Sequence, residues 1–135
     1  MNDHKKYDFV IYGASGFTGK LVLEYVLEKY LNNSDISWAI AGRDLAKLDT
    51  LVKELNVPKN IEIIHVESEN QASIDNLVQQ TKCVLTTVGP YQLYGENLIK
   101  TCISSGTDYV DLCGEPGWMH KIIEKYSKDA QSTGA

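Results

Sequence analysis

The run Gly13-Ala14-Ser15-Gly16-Phe17-Thr18-Gly19 sets three glycines three positions apart and places two hydroxyl side chains among them. Residues of this kind suit phosphate chemistry when they join a strand to a helix. The first amides of a helix have no partner within it and carry a partial positive charge, so together they can hold a diphosphate. Glycine lets the chain turn sharply and lets phosphate oxygens approach the backbone. Ser15 and Thr18 add hydroxyl donors. A nucleoside triphosphatase loop needs G-x-x-x-x-G-K-[ST]. Here five residues separate Gly13 from Gly19, and Leu21 follows Lys20 where a magnesium-binding hydroxyl should stand. The G-x-G-x-x-G form is not matched either, because Ser15 occupies its second glycine. The plainer alternative is a glycine-rich turn without a ligand, and the surrounding elements decide against it.

A second group is Ala39-Ile40-Ala41-Gly42-Arg43. A site for NAD ends its second strand with Asp or Glu, which accepts from the ribose 2′-hydroxyl. Arg43 stands there instead, and a guanidinium can pair with a 2′-phosphate and lie against adenine. Asp44, the nearest acid, is expected to cap its own helix. NADP is therefore the expected dinucleotide, with NAD the second choice. In a third group, Thr86-Thr87-Val88-Gly89-Pro90-Tyr91, the residues Val88, Gly89, Pro90 and Tyr91 are expected to wall the nicotinamide end. Tyr91 and Tyr94 are within reach of it, and Glu67 and Ser68 are placed to border the adenine.

Other chemistry-bearing residues carry less. Asp111 and Glu115 read as caps rather than a catalytic pair. Tyr25 and Lys29 match a Tyr-x-x-x-Lys pair, but on a helix leading away from the cofactor edge. Cys113, His65 and His120 lack metal-ligand spacing, so no metal is expected. No catalytic residue is assigned.

The elements that must position these groups alternate. Strands are expected at Tyr7 to Tyr12, Ile36 to Ala41, Ile61 to Val66, Cys83 to Val88 and Tyr109 to Leu112. Helices are expected from Thr18 to Tyr30, from Asp44 to Pro58, around Ile74, Leu77 and Val78, from Glu96 to Ser104, and from about Gly117 to Gly134. The strands are near-continuous apolar runs, as burial on both faces requires. Right-handed crossovers then give a doubly wound, Rossmann-like parallel α/β sheet of about five strands, with the glycine loop directly after the first.

The chain has 135 residues, enough for one core. A net charge of -5 and a pI near 5.1 argue against a nucleic-acid surface. Three cysteines without paired spacing suggest reduced thiols and a cytoplasmic protein. The longest apolar run, Leu21 to Leu27, is broken by Glu24 and is too short to span a membrane. Lipid association of a longer protein stays open. Met1 to Lys6 reads as a frayed lead-in. Five strands leave an open edge that invites self-association.

Taken in order, the stretches Tyr7 to Gly19, Ala39 to Arg43, Val88-Gly89-Pro90-Tyr91 with Tyr94-Gly95, and Tyr109-Val110-Asp111-Leu112-Cys113-Gly114-Glu115-Pro116 resemble the saccharopine dehydrogenase-like oxidoreductase family. The resemblance implies an N-terminal NADP-binding domain followed by a longer substrate-binding region, so residues 1–135 are expected to be the N-terminal part of a longer enzyme. It implies hydride transfer to a small-molecule carbonyl, imine or enoyl substrate, lipid-like in some relatives. A non-catalytic NADP(H) sensor is the alternative. A methyltransferase-like nucleoside binder is disfavoured by Arg43, which stands where that class places an acid.

Overall fold

The computed structural model describes residues 4–135. Met1, Asn2 and Asp3, part of the expected lead-in, lie outside the described residues. The strands are β1 (Tyr7–Tyr12), β2 (Trp38–Gly42), β3 (Ile63–His65), β4 (Thr81–Thr86) and β5 (Asp108–Val110). The helices are α1 (Phe17–Tyr30), α2 (Leu45–Glu54), α3 (Gln71–Gln80), α4 (Tyr91–Tyr94), α5 (Glu96–Ser105) and α6 (Pro116–Thr133). All strand pairs are parallel, in the order β3-β2-β1-β4-β5. β1 lies at the centre, with Val10 opposite Ala39 of β2 and Val84 of β4.

Side chains alternate across a strand, so β1 feeds both layers. Ile11 packs with Leu23 and Val26 of α1, Leu48 and Leu51 of α2, and Ile40. Val10 and Tyr12 pack with Ile74, Leu77 and Val78 of α3 and Leu98 and Cys102 of α5. Burying one such aliphatic side chain contributes roughly 1.5–3 kcal/mol. The helix starts are specified locally: the Asp44 carboxylate accepts from the Lys47 amide at 3.0 Å, and Asn70 accepts from the Ser73 amide at 3.1 Å. Gly106, at φ +60°, ends α5 in a left-handed turn.

Several boundaries differ from the sequence expectation for local reasons. Ile36 donates its amide to the Asn33 carbonyl at 3.3 Å, so it closes a turn and β2 begins at Trp38. Ile61 likewise donates to the Pro58 carbonyl at 3.0 Å, and β3 begins only at Ile63. β4 ends at Thr86 rather than Val88, because the Thr86 hydroxyl takes the Val88 amide at 3.1 Å. β5 ends at Val110, since the Asp111 carboxylate accepts from the Cys113 amide at 2.9 Å. The short helix α4 is not expected from the sequence at all.

Candidate cofactor site

The glycine loop joins the end of β1 to α1, at the carboxyl edge of the sheet. Gly13 has φ +91°, and a Cβ there would meet Thr87 Oγ1 at 2.8 Å and Val88 Cγ2 at 2.9 Å. A Cβ on Gly19 would fall 1.9 Å from the Gly13 carbonyl oxygen, so this glycine is what lets α1 begin against the loop. Gly16 is different: a Cβ there meets only that same oxygen, at 3.4 Å. The protein itself does not exclude a side chain at Gly16, so its bareness leaves room for something above it.

α1 also differs from α2 and α3 in having no side-chain cap. The amides of Phe17, Thr18 and Gly19 find no acceptor among the described residues. A bare loop over free amides at a strand-to-helix turn fits a diphosphate.

A cavity of about 410 Å³ opens beside this loop. Tyr12, Gly13, Ser15 and Gly16 line one side, and Gly42, Arg43 and Ser68 line the end beyond β2 and β3. Thr87, Val88, Gly89, Pro90 and Tyr94 close the other end. A larger cavity, about 570 Å³, lies at the opposite, amino edge of the sheet among Lys6, Tyr30, Asn33, Trp38 and Glu62. It has no glycine loop and no free helix amides, and its Glu62 carboxylate is already shared by Lys6 and Tyr7. The smaller cavity is the one with ligand-binding chemistry. It also lies where β1 is flanked by β2 and β4, the point at which a doubly wound sheet reverses direction.

The residues singled out in the sequence divide into those the cavity gathers and those it leaves aside. Gly13, Ser15, Gly16, Arg43, Val88, Gly89 and Pro90 line it. Asp44 is turned to its own helix, leaving Arg43 exposed beside the cavity as the charged side chain there. Ala14 and Gly19 are buried beneath the loop, Thr18 is half-buried, and Phe17 is 86% exposed.

Tyr91, expected to wall the site, does not line the cavity. Its ring is buried, stacks on Trp118 at 6.2 Å between centroids, and its hydroxyl donates to the Thr86 carbonyl at 3.3 Å. The short turn of α4 that directs this ring inward brings Tyr94 to the cavity instead. Ser68 lines the cavity at its end beyond β2 and β3, while the Glu67 carboxylate lies 3.3 Å from His65 Nε2. Tyr12 and Thr87 are additions that sequence reasoning did not single out. The Thr87 hydroxyl donates to the Gly13 carbonyl at 3.2 Å, a bond that no motif foretells.

The acids past β5 have structural partners. Asp111 accepts from the Tyr109 hydroxyl at 2.6 Å and from the Cys113 amide at 2.9 Å. Glu115 accepts from the Tyr91 and Gln92 amides at 2.7 and 3.3 Å, so it caps α4 and not the helix it precedes. Burial pushes the Cys113 thiol above its ordinary value, with Asp111 and Glu115 adding to the rise, so it stays protonated at neutral pH. Tyr25 is 54% exposed on α1, away from the cavity. Among the described residues no three His, Cys, Asp or Glu side chains gather as a metal site.

Sheet order, glycine loop and cavity define a dinucleotide-binding Rossmann domain, and NADP is its cofactor. The chain belongs to the family described as the saccharopine dehydrogenase NADP-binding domain, which it matches over residues 9–135. It is 37% identical to a Caenorhabditis elegans lipid droplet localized protein, covering 96% of this chain and 31% of that one. It is 34% identical to the mouse saccharopine dehydrogenase-like oxidoreductase, covering 98% and 33%. A Mycobacterium tuberculosis protein named as a trans-acting enoyl reductase is 36% identical, covering 97% and 31%. The chain thus spans about a third of the length of these relatives.

Solved structures share the fold. Saccharomyces cerevisiae saccharopine dehydrogenase superposes with a TM-score of 0.66 at 20% identity, over 91% of this chain and 24% of that one. Citrobacter triphenylmethane reductase, complexed with NADP(H), gives 0.65 at 18% identity, over 93% and 45%. No helix among the described residues is long and apolar enough to cross a membrane.

Proposed function

We propose that the chain is the cofactor half of an NADP-dependent oxidoreductase. The free amides opening α1, with Ser15 and the bare surface of Gly16, hold the pyrophosphate. Arg43 pairs with the 2′-phosphate, and Val88, Gly89 and Pro90 wall the nicotinamide end. The observation that carries the reading is a single cavity edged by the uncapped loop, by Arg43 and by the turn after β4. When bound, the dinucleotide supplies the hydride chemistry; this chain binds and orients it. Asp111 and Glu115 are engaged with Tyr109, Cys113 and the α4 amides, which supports placing substrate protonation on other groups. The relatives' additional length supports placing the substrate-binding groups outside residues 1–135.

The relatives named as an enoyl reductase and a lipid droplet localized protein support a lipid-like substrate with an enoyl or carbonyl hydride acceptor. Nothing in the comparisons favours the sensor reading. Calorimetric titration tests the cofactor half: NADPH is expected to bind more tightly than NADH. Equal affinity would remove Arg43 from the 2′-phosphate, and binding of neither would remove the reading itself.

A further inference from the structure

The cavity contains a group that neither the fold nor the motifs assign. Of the tyrosines, four send their hydroxyls to protein acceptors: Tyr7 to Glu62, Tyr91 to the Thr86 carbonyl, Tyr109 to Asp111 and Tyr126 to Glu96. Tyr12 does not. The residue is 4% exposed and its ring packs in the core layer with Val10, Ala41 and Val66, yet its hydroxyl has no hydrogen-bond partner among the described residues. No sealed side-chain oxygen lacks a partner among those residues, so the Tyr12 oxygen is not sealed, and Tyr12 is one of the residues that line the cofactor cavity. A buried polar group is ordinarily paired, and one left open to a cavity is placed to meet a ligand.

Its surroundings say which part of a ligand. Burial pushes the Tyr12 phenol up to about 12, with Arg43 drawing it down and Glu67 pushing it up. At neutral pH it is an uncharged hydroxyl within the field of both side chains. Those residues, with Ser68, stand past β2 and β3, the end away from Val88 and Pro90. Purine nitrogens and ribose oxygens accept hydrogen bonds and the purine amino group donates one; a phenol hydroxyl can serve either way.

We propose that the Tyr12 hydroxyl hydrogen-bonds the adenosine half of the dinucleotide and helps set affinity for that half. The inference rests on the cofactor reading above and assigns a residue which that reading does not use. Tyr12 is the last residue of β1 and Gly13 follows it, so the adenosine contact and the phosphate loop are carried on one rigid strand end.

Tyr12→Phe keeps the buried ring and removes only the oxygen. The ligand-free melting temperature is therefore expected to equal the wild type's. Calorimetric titration with NADPH and with 2′,5′-ADP should give dissociation constants about three- to tenfold weaker for the variant, by the same factor for both ligands. A lower ligand-free melting temperature would reveal a protein partner and overturn the proposal. So would unchanged affinity for both ligands, or a loss seen with NADPH alone, which would move the hydroxyl to the nicotinamide half. If the wild type binds neither ligand, the cofactor reading fails and takes this inference with it; a wild type that binds beside an unaffected variant rejects this inference alone.

Discussion

The Glu115 carboxylate accepts the Tyr91 amide at 2.7 Å, across the gap between the segment after β5 and the segment after β4. A second bond, to the Gln92 amide at 3.3 Å, makes it the cap of α4. Tyr91 adds a contact in the same direction by stacking on Trp118 of α6. The turn that carries Val88, Gly89 and Pro90 is thereby fixed from behind by α6.

Removing that cap should loosen the wall. Glu115→Ala leaves two amides without an acceptor, and a lost cap of this kind costs about 1–2 kcal/mol. Glu115→Gln keeps an oxygen acceptor and should lose about half as much or less. Chemical denaturation reads both. If the alanine variant matches the wild type in stability, the cap has no energetic meaning and the bracing of Pro90 goes with it.

How far the sequence reveals this arrangement depends on the distance over which each cause acts. β1, the loop and α1 are legible because a continuous apolar run, a glycine spacing and a helical period follow one another within 24 residues. Asp44 and Gly106 are legible as helix ends, since caps are local chemistry. Arg43 is legible by position, one residue past a strand. α4 is not, because its four residues are too short to show a period. That omission is why both Tyr91 and Tyr94 are expected within reach of the site while only Tyr94 lines it. Glu115 capping a helix 24 positions earlier leaves no sequence mark. Tyr12 reads only as a strand residue; that it also lines the cavity depends on the strand order, which sets β1 between β2 and β4.

The glycines should separate by role. Gly19→Ala forces a methyl group against the Gly13 carbonyl, and such overpacking costs about 1–3 kcal/mol, so both the melting temperature and NADPH binding should fall. Gly16→Ala has space and an ordinary extended backbone, φ -76° and ψ 168°. Its stability should stay within about 0.5 kcal/mol of wild type, while NADPH affinity drops at least tenfold, or about 1.4 kcal/mol. A Gly16→Ala protein that binds NADPH normally would show that no ligand approaches the loop there.

Asp8 gives a pH prediction away from the site. The Ser37 amide donates to its carboxylate at 2.8 Å and Lys82 at 2.9 Å, and these partners hold its pKa below the ordinary carboxylate value. A group with a lowered folded pKa stabilises fully above its unfolded value, about 3.9, and the contribution fades as pH falls through the folded value. Asp8→Asn should therefore melt a few degrees below wild type at neutral pH, and the two curves should converge in acid. A gap that stays constant down to strongly acidic pH would mean that the carboxylate charge is not what joins β1 to β4 and to the turn before β2.

On the proposed reading, Arg43 sets which dinucleotide the chain prefers. It is exposed at the cavity and forms no ion pair among the described residues, while the neighbouring Asp44 is committed to Lys47. A guanidinium–phosphate contact is charge-assisted and contributes about 1.5–3 kcal/mol. Arg43→Ala should thus weaken NADPH binding by about ten- to a hundredfold and leave NADH nearly untouched, because NADH has no 2′-phosphate to lose. Added salt should weaken NADPH binding to the wild type more than to the variant, since an exposed charge pair is screened. Arg43→Asp goes further: it offers the ribose 2′-hydroxyl an acceptor and repels a phosphate, so NADH should become the tighter ligand. If Arg43→Ala weakens NADPH and NADH by the same factor, the side chain acts on the shared adenosine and not on the phosphate, and the preference must arise from another residue.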